Sequence, residues 1–226
     1  MIRIAPSILS ADFAALADAI DRVAPESDLL HVDVMDGHFV PNLTIGPPVV
    51  RSIDRHTDLY LDCHLMMTNP GDHLEAFRGA GADGCSVHVE IGGTRDLLAQ
   101  MRRLGLDAGL AVNPDTPFEA YAEFLDDLDL LLLMTVFPGF GGQRFMAEVL
   151  PKIERTAAEI RKRGLDLPIE VDGGIDEDTA GLVVRAGATV LVAGSAIFGR
   201  DDPRLAARRL RDATAGAVPS PGGGER

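Results

Sequence analysis

The chain has 226 residues, of which 46% are hydrophobic and 25% are charged, and its formal net charge is −14. Such an acidic chain is unsuited to nucleic acid, which is bound by a surplus of lysine and arginine. The longest apolar run, Leu128 to Val136, contains Asp129 and falls well short of the roughly 20 residues of a membrane helix. We therefore expect a soluble globular protein that binds neither nucleic acid nor a membrane.

The two cysteines, Cys63 and Cys85, do not form closely spaced pairs, and the N-terminal residues lack a basic region followed by an apolar core. Reduced thiols in a cytoplasmic protein are the expectation. Cys63 alternates with His64 and Cys85 is out of phase with His88, so both cysteines should face away from these histidines.

Short apolar runs alternate with amphipathic stretches eight times along the chain. The predicted strands are Arg3 to Leu9, Leu29 to Met35, Tyr60 to Met66, Gly84 to Val89, Asp107 to Asn113, Asp129 to Val136, Pro168 to Asp172 and Thr189 to Ala193. Apolar strands that alternate with helices are typical of a parallel sheet covered by helices. Eight such units without a linker predict one α/β domain over residues 1–214, a closed (β/α)8 or TIM barrel.

Helical periodicity predicts a helix from Phe13 to Val23 after Asp12, and a longer one from Phe145 to Ile160. The last helix begins at Asp202-Pro203, where an N-cap residue precedes a proline at the first helical position. The stretch from Ala215 to Arg226 is rich in glycine and proline and has no helical period, so we expect a disordered tail.

Polar side chains occupy positions at the carboxyl ends of the predicted strands, where barrel enzymes carry their catalytic groups. His31 and Asp33 share one face of the second strand, His64 follows in the third, and Asp172 ends the seventh. Two imidazoles and two carboxylates that converge form a mixed site suited to Zn, Fe(II), Mn or Co. We expect one divalent metal ion per subunit, held by His31, Asp33, His64 and Asp172.

Glycine-rich loops follow the last three predicted strands: Gly139 to Gly142, Asp172-Gly173-Gly174 and Gly194-Ser195. A single glycine cluster is more often a tight turn, but three on one rim favour a phosphate cradle of backbone N–H groups. Only two lysines are present, Lys152 and Lys162, both within one helical stretch, so neutral donors would bind the phosphate.

A metal ion, two carboxylates and a phosphate anchor together suggest proton abstraction beside a carbonyl in a sugar phosphate. Asp33 and Asp172 come from distant strands and can flank a substrate, which favours epimerisation over an isomerase with a single base. Met35, Met66 and Met134 lie near the same rim. They are either core residues or an apolar wall over the reacting carbons.

Several motifs together resemble the ribulose-phosphate 3-epimerase family over residues 1–200. They are Ala5-Pro6-Ser7-Ile8-Leu9-Ser10, His31 to Asn42, Asp62-Cys63-His64-Leu65-Met66, His88-Val89-Glu90, Asn113-Pro114-Asp115-Thr116-Pro117, Pro138 to Gln143, Asp172-Gly173-Gly174-Ile175 and Gly194-Ser195-Ala196-Ile197-Phe198. The resemblance implies a ribulose-phosphate-binding barrel that interconverts D-ribulose 5-phosphate and D-xylulose 5-phosphate at C3. This is a reaction of the pentose phosphate pathway.

The same resemblance implies the metal ligands given above and Asp33 with Asp172 as the acid and base. It further implies a dimer or hexamer of identical subunits and a ketose phosphate as the small-molecule partner. The implied substrate contacts are Ser7, His64, Gly139, Phe140, Gly141, Gly142, Asp172, Gly173, Gly174, Gly194 and Ser195.

One residue departs from the family pattern, because Phe137 stands where we expect Asn or Glu. An epimerase of a hexulose 6-phosphate therefore remains an alternative. A decarboxylase or aldolase-type barrel would need a lysine beside its carboxylates, and no Asp-x-Lys pair occurs at a strand end. A non-catalytic sugar-phosphate-binding barrel would have lost a ligand, whereas all four are present.

Overall fold

The computed structural model describes residues 2–217, which include a barrel of eight parallel strands. The strands are Arg3–Pro6 (β1), Leu29–Met35 (β2), Tyr60–Met66 (β3), Gly84–His88 (β4), Asp107–Val112 (β5), Leu130–Met134 (β6), Ile169–Asp172 (β7) and Val190–Ala193 (β8). Each strand pairs with its neighbours in the order β1-β8-β7-β6-β5-β4-β3-β2. A parallel bridge between Ser7 and His31 joins β1 to β2 and closes the barrel, as the sequence predicts.

Helices cover the outside of the barrel. They are Leu16–Val23 (α1), Pro47–Asp54 (α2), Leu74–Arg78 (α3), Thr94–Leu104 (α4), Leu150–Arg163 (α5), Glu177–Ala186 (α6), Ser195–Phe198 (α7) and Pro203–Ala213 (α8). Between β5 and β6 the chain forms the 3-10 turns Phe118–Ala120 and Ala122–Asp127 instead of an α-helix. No helix among residues 2–217 is both long and apolar enough to cross a membrane.

The outward faces of the strands pack against the helices in one large apolar cluster. Cys63 and Cys85 belong to this cluster, as their phase along the strands predicts, and they face each other across β3 and β4. Inside the barrel, a smaller apolar layer that includes Ala5, Leu29 and Val190 fills the amino-terminal end. The polar inward residues lie beyond this layer, toward the carboxyl ends of the strands.

Several predicted boundaries are wrong, and the contacts explain two of them. The first strand ends at Pro6 and not at Leu9, because the chain turns into a 3-10 helix at Ile8–Ser10. The helix predicted from Phe145 begins only at Leu150, with a proline in its first turn. A 3-10 helix at Ala147–Val149 precedes it. Met146 before that turn is extended, because Met146 N pairs with Thr135 O at 2.9 Å and holds this residue against the end of β6.

The tail predicted from Ala215 falls only partly within the described residues. Residues 215–217 form a turn, and Ala217 is buried against the core cluster. Residues 218–226 lie outside the described residues, so for them the tail remains a prediction.

Replacement of Asp202 by alanine tests the predicted start of α8. Asp202 Oδ1 accepts a hydrogen bond from Leu205 N at 3.1 Å, and Pro203 follows it. Loss of such a cap costs about 1 kcal/mol, which lowers the melting temperature by about 2–4 °C in a protein of this size. Asp201→Ala is the matched control, because this exposed neighbour makes no side-chain hydrogen bond within residues 2–217. Equal thermal shifts in the two variants would contradict the capping role.

Candidate active site

Four polar side chains meet inside the barrel toward the carboxyl ends of its strands: His31 and Asp33 of β2, His64 of β3 and Asp172 of β7. One nitrogen or oxygen atom of each lies within 4.8 Å of the corresponding atoms of the other three. Alternation along the strands directs these residues inward, because residues two apart share a face. The structure thus brings together all four ligands predicted from the sequence.

We refer to these four side chains, which could hold one metal ion, as the metal cluster. Asp33 lies at its centre. Its Oδ1 is 3.2 Å from His64 Nδ1 and 3.4 Å from His31 Nε2. Its other oxygen accepts a hydrogen bond from Ser7 Oγ at 2.6 Å. One carboxylate therefore faces both imidazoles while Ser7 fixes its orientation.

Burial and neighbouring charges shift the pKa values of the cluster, in the same direction for Asp172 and in opposite directions for Asp33 and His31. Burial and the Asp33 carboxylate raise the pKa of Asp172 to about 7. Burial also acts to raise the pKa of Asp33, but His31 and His64 outweigh it and hold that pKa well below its usual range. Burial acts to lower the pKa of His31, yet Asp33 and Glu170 raise it. The buried carboxylates thus favour a positive charge among them.

His31 shows how the cluster fits a metal ion. Its Nδ1 is 2.8 Å from Asp62 Oδ2, whereas its fully buried Nε2 has no hydrogen-bond partner within residues 2–217. In a typical metal-binding histidine, a carboxylate binds one ring nitrogen and fixes the ring, so that the other nitrogen is free to face the metal ion. Two imidazoles and two carboxylates suit a borderline divalent transition metal better than Ca²⁺ or Mg²⁺.

A second buried group lies beneath His31 and was missed as part of the site. Glu170 Oε1 is 3.6 Å from His31 Nδ1, and neither Glu170 nor Asp62 is exposed by more than 1%. His31, Asp62 and Glu170 are thus a second group with potential ligand atoms within 4.8 Å of one another. Within it, His31 Nδ1 and Asp62 Oδ2 are 2.8 Å apart, which is a hydrogen-bond length. The signal was available, because Glu170 lies two residues before Asp172 and shares its face.

A cleft above the metal cluster encloses about 540 Å³ of space, part of it open to solvent. Asp33, Met35, Met66 and Met134 line it, so the methionines do face the site. Ten of the eleven predicted substrate contacts also line it: Ser7, Gly139, Phe140, Gly141, Gly142, Asp172, Gly173, Gly174, Gly194 and Ser195. The eleventh, His64, is not among the lining residues and is fully buried below them.

Close packing requires glycine at two positions in the cleft. A Cβ atom on Gly173, whose φ is +123°, would lie 2.5 Å from Val136 Cγ2. A Cβ on Gly194 would lie 2.5 Å from Ser10 Oγ. The absence of side chains at these positions leaves the backbone uncovered toward the cleft, as a phosphate cradle requires.

The loop over the cleft is held by side-chain amides. Asn42 Nδ2 donates to Gly139 O at 3.1 Å, and Gln143 Nε2 donates to Phe137 O at 2.7 Å and to Phe140 O at 2.9 Å. Phe137, the departure from the family pattern, is 47% exposed and does not line the cleft.

The fold and site define an α/β-barrel enzyme with a buried cluster of metal-ligand type beneath a glycine-rich cleft. The chain belongs to the ribulose-phosphate 3 epimerase family, whose sequence profile matches residues 3–198. This finding confirms the resemblance read from the sequence motifs.

Relatives named ribulose-phosphate 3-epimerase align along most of the chain. The protein of Bacillus subtilis (strain 168) is 50% identical over 93% of this chain and 99% of its own length. That of Mycobacterium tuberculosis (strain ATCC 25618 / H37Rv) is 48% identical over 92% of this chain and 91% of its own. A relative from Oryza sativa subsp. japonica, named the cytoplasmic isoform, is 45% identical over 95% of each chain.

Solved structures share the fold at low sequence identity. KGPDC from Streptococcus mutans aligns with a TM-score of 0.72 at 16% identity, over 95% of this chain and 98% of that one. The 3-keto-L-gulonate-6-phosphate decarboxylase from Vibrio cholerae O1 biovar El Tor aligns with a TM-score of 0.71 at 17% identity, over 96% and 99%. These similarities support the barrel fold alone.

We predict that protein purified without chelator or affinity-tag metal contains about one divalent ion per chain. Loss of a residue that only supports a ligand typically weakens metal binding by about 10- to 100-fold. His31→Ala should weaken it at least as much, because it removes a predicted ligand itself. His38→Ala is the control, since the His38 ring lies in the rim loop and its hydrogen bond, the only one among residues 2–217, is to Asp36 O in the same loop. Metal analysis and chelator competition provide the measurement. The absence of a stoichiometric ion in the unmodified protein would contradict the metal centre.

Proposed function

We propose that this enzyme interconverts D-ribulose 5-phosphate and D-xylulose 5-phosphate by moving the proton at C3. The observation that carries the proposal is the position of Asp33 and Asp172, which come from β2 and β7 and both line the cleft. Membership of the family and the names of relatives up to 50% identical support the same reaction.

The two carboxylates divide the proton transfer between two faces of the substrate. Asp33 removes the C3 proton from one face, and Asp172 delivers a proton to the other, which inverts the carbon. In the reverse direction the two residues exchange roles. A single base would return the proton to the face from which it came, so the pair accounts for epimerisation.

The residues that would hold the metal ion are His31, Asp33, His64 and Asp172, and we propose Zn, Fe(II), Mn or Co as its identity. When bound, the ion supplies a Lewis acid that stabilises negative charge on the substrate oxygens as the proton leaves. Ser7 holds the Asp33 carboxylate in position through its 2.6 Å hydrogen bond. Met35, Met66 and Met134 contribute an apolar wall, which protects a charged intermediate from water.

The phosphate group of the substrate would bind at the glycine-rich end of the cleft. Backbone N–H groups of Gly194 and Ser195 would supply donors, because α7 begins here and the first N–H groups of a helix have no helical partner. Gly173 and Gly174, in the loop directly after β7, would supply further N–H groups. Gly139 to Gly142 would cover the substrate from the opposite side.

The alternatives receive less support from the side chains. Phe137 does not line the cleft, so it gives no reason to prefer a hexulose 6-phosphate. Lys152 does not line the cleft either and donates to Asn113 O and Pro114 O at 2.7 and 2.8 Å, so no lysine-assisted decarboxylase or aldolase chemistry is indicated. The complete ligand set argues against a non-catalytic barrel.

A cytoplasmic location and a dimer or hexamer remain proposals from the sequence. The relative from rice that is named a cytoplasmic isoform supports the first.

Asp172→Asn should lower kcat for D-ribulose 5-phosphate by about 10²- to 10⁴-fold, because an amide cannot exchange a proton with C3. A coupled assay for D-xylulose 5-phosphate measures the loss, with Asp166→Asn as an exposed-carboxylate control. In deuterated water, the unmodified enzyme should place deuterium at C3 of the product. Full activity of Asp172→Asn, or retention of the substrate proton at C3, would contradict the mechanism with two carboxylates.

Phe137→Asn tests the single departure from the family pattern. We expect the ratio of kcat/KM for D-ribulose 5-phosphate to that for a hexulose 6-phosphate to change by less than about twofold, because the Phe137 ring does not line the cleft. A tenfold change in this ratio would show that residue 137 determines the substrate.

A further inference from the structure

A chain of hydrogen-bonded side chains runs from the metal cluster to the loop after β5, and the proposed reaction leaves most of it unexplained. Its members are His64, His88, Glu90 and Thr116, each bonded to the next. His88 ends β4 and is only 1% exposed. Both of its ring nitrogens have a hydrogen-bond partner, as a buried imidazole requires.

All contacts in this series of side chains have hydrogen-bond lengths. His64 Nε2 is 2.8 Å from His88 Nε2, and His88 Nδ1 is 3.0 Å from Glu90 Oε2. The other oxygen, Glu90 Oε1, accepts from Asn113 N at 2.8 Å and from Thr116 Oγ1 at 2.5 Å. Both oxygens of Glu90 are therefore engaged as acceptors.

The carboxylate at one end determines the direction of the hydrogen bonds. Burial acts to raise the pKa of Glu90, but hydrogen bonds from His88, Thr116 and Asn113 N lower it to about 2. An ionised carboxylate only accepts, so the proton of the His88–Glu90 bond belongs to His88 Nδ1. The tautomer of His88 with its proton on Nδ1 accepts through Nε2, and the donor in that bond is then His64 Nε2.

A neutral His64 that donates through Nε2 keeps its lone pair on Nδ1. Nδ1 is the atom that belongs to the metal cluster, 3.2 Å from Asp33 Oδ1. A lone pair and a carboxylate oxygen at this distance repel each other unless a cation lies beside both. The arrangement therefore favours a metal ligand at His64 Nδ1.

We propose that His88 and Glu90 are positioning residues, which hold His64 so that its Nδ1 lone pair is directed at the metal cluster. The proposal rests on the proposed function only in that the cluster binds a divalent ion. Neighbouring contacts fix both residues: the Phe39 ring packs against His88 with 4.5 Å between ring centroids. Lys152 donates to the carbonyls of Asn113 and Pro114 and so holds the loop whose Asn113 N and Thr116 Oγ1 donate to Glu90.

The unmodified protein provides the first test. In zinc-loaded protein labelled with ¹⁵N at histidine, the ring-nitrogen chemical shifts report which nitrogen carries the proton. We expect His88 to carry its proton on Nδ1 and His64 to carry its proton on Nε2. A proton on His88 Nε2 would overturn the proposal, and this result does not depend on the folding of any variant.

Zinc affinity provides the second test, measured on apoprotein by competition with a fluorescent chelator. Glu90→Gln presents one amide oxygen to three donors, and His88→Leu removes the acceptor for His64 Nε2. Each should weaken zinc binding by about 10- to 100-fold. His88→Gln, which can again accept from His64, should recover part of this loss, whereas a purely structural role would give no such recovery.

The matched control is His56→Gln. His56 also pairs with a carboxylate, Asp21, at 2.9 Å, but it lies at the surface. Its zinc affinity should equal that of the unmodified protein. Circular dichroism of each apoprotein identifies any variant that fails to fold. If a variant does not fold, the histidine tautomers of the unmodified protein decide whether the positioning role holds.

The outcomes separate the two proposals. Unchanged zinc affinity in folded Glu90→Gln and His88→Leu would overturn the positioning role, even if the enzyme epimerises D-ribulose 5-phosphate. The expected tautomers and affinity losses in a protein without epimerase activity would support the positioning role and refute the proposed function.

Discussion

The need to compensate buried charge shapes the interior of this barrel. His31, Asp33, Asp62, His64, His88 and Glu170 are at most 4% exposed, where an unpaired charge is strongly unfavourable. Each lies within reach of another ionisable group, and the metal cluster adds donors that a divalent cation would satisfy. The apolar layer at the other end of the barrel has no such requirement and packs as an ordinary core. The polar side chains are thus confined to the end of the barrel where the cleft opens.

The barrel could be predicted from the sequence because its parallel strands are continuous apolar runs at regular spacing. The convergence of the four candidate metal ligands could be predicted because strand alternation fixes which residues face inward. The predicted start of α5 was wrong for a physical reason: Phe145 and Val149 continue the helical period, yet Met146 N pairs with Thr135 O and keeps Met146 extended, so that only a 3-10 turn at Ala147–Val149 precedes the α-helix. Local periodicity contains no information about such a contact between distant residues.

The same distinction applies within the site. His88 and Glu90 could be recognised from the sequence as strand-end residues. Their hydrogen bonds to each other and to His64 could not be predicted, because these bonds depend on the rotamers of side chains from neighbouring strands and on a loop 23 residues further along. His64, which was expected to contact substrate, is fully buried and is not among the residues that line the cleft, so its contact with substrate stays a prediction. Sequence alternation assigns a residue to the interior of a barrel but not to a depth within it, since depth depends on the stagger of the strands.

One segment connects the two ends of the proposed reaction. Asp172, proposed to move the proton, is followed directly by Gly173 and Gly174, proposed to bind the phosphate. Gly173 packs against Val136 so closely that it tolerates no side chain, and Thr135 Oγ1 donates to its carbonyl at 2.6 Å. These contacts hold the segment rigidly to the end of β6. The backbone itself would therefore set the distance between the proposed phosphate site and the Asp172 carboxylate, and proton transfer depends on such fixed positions more than on the strength of binding.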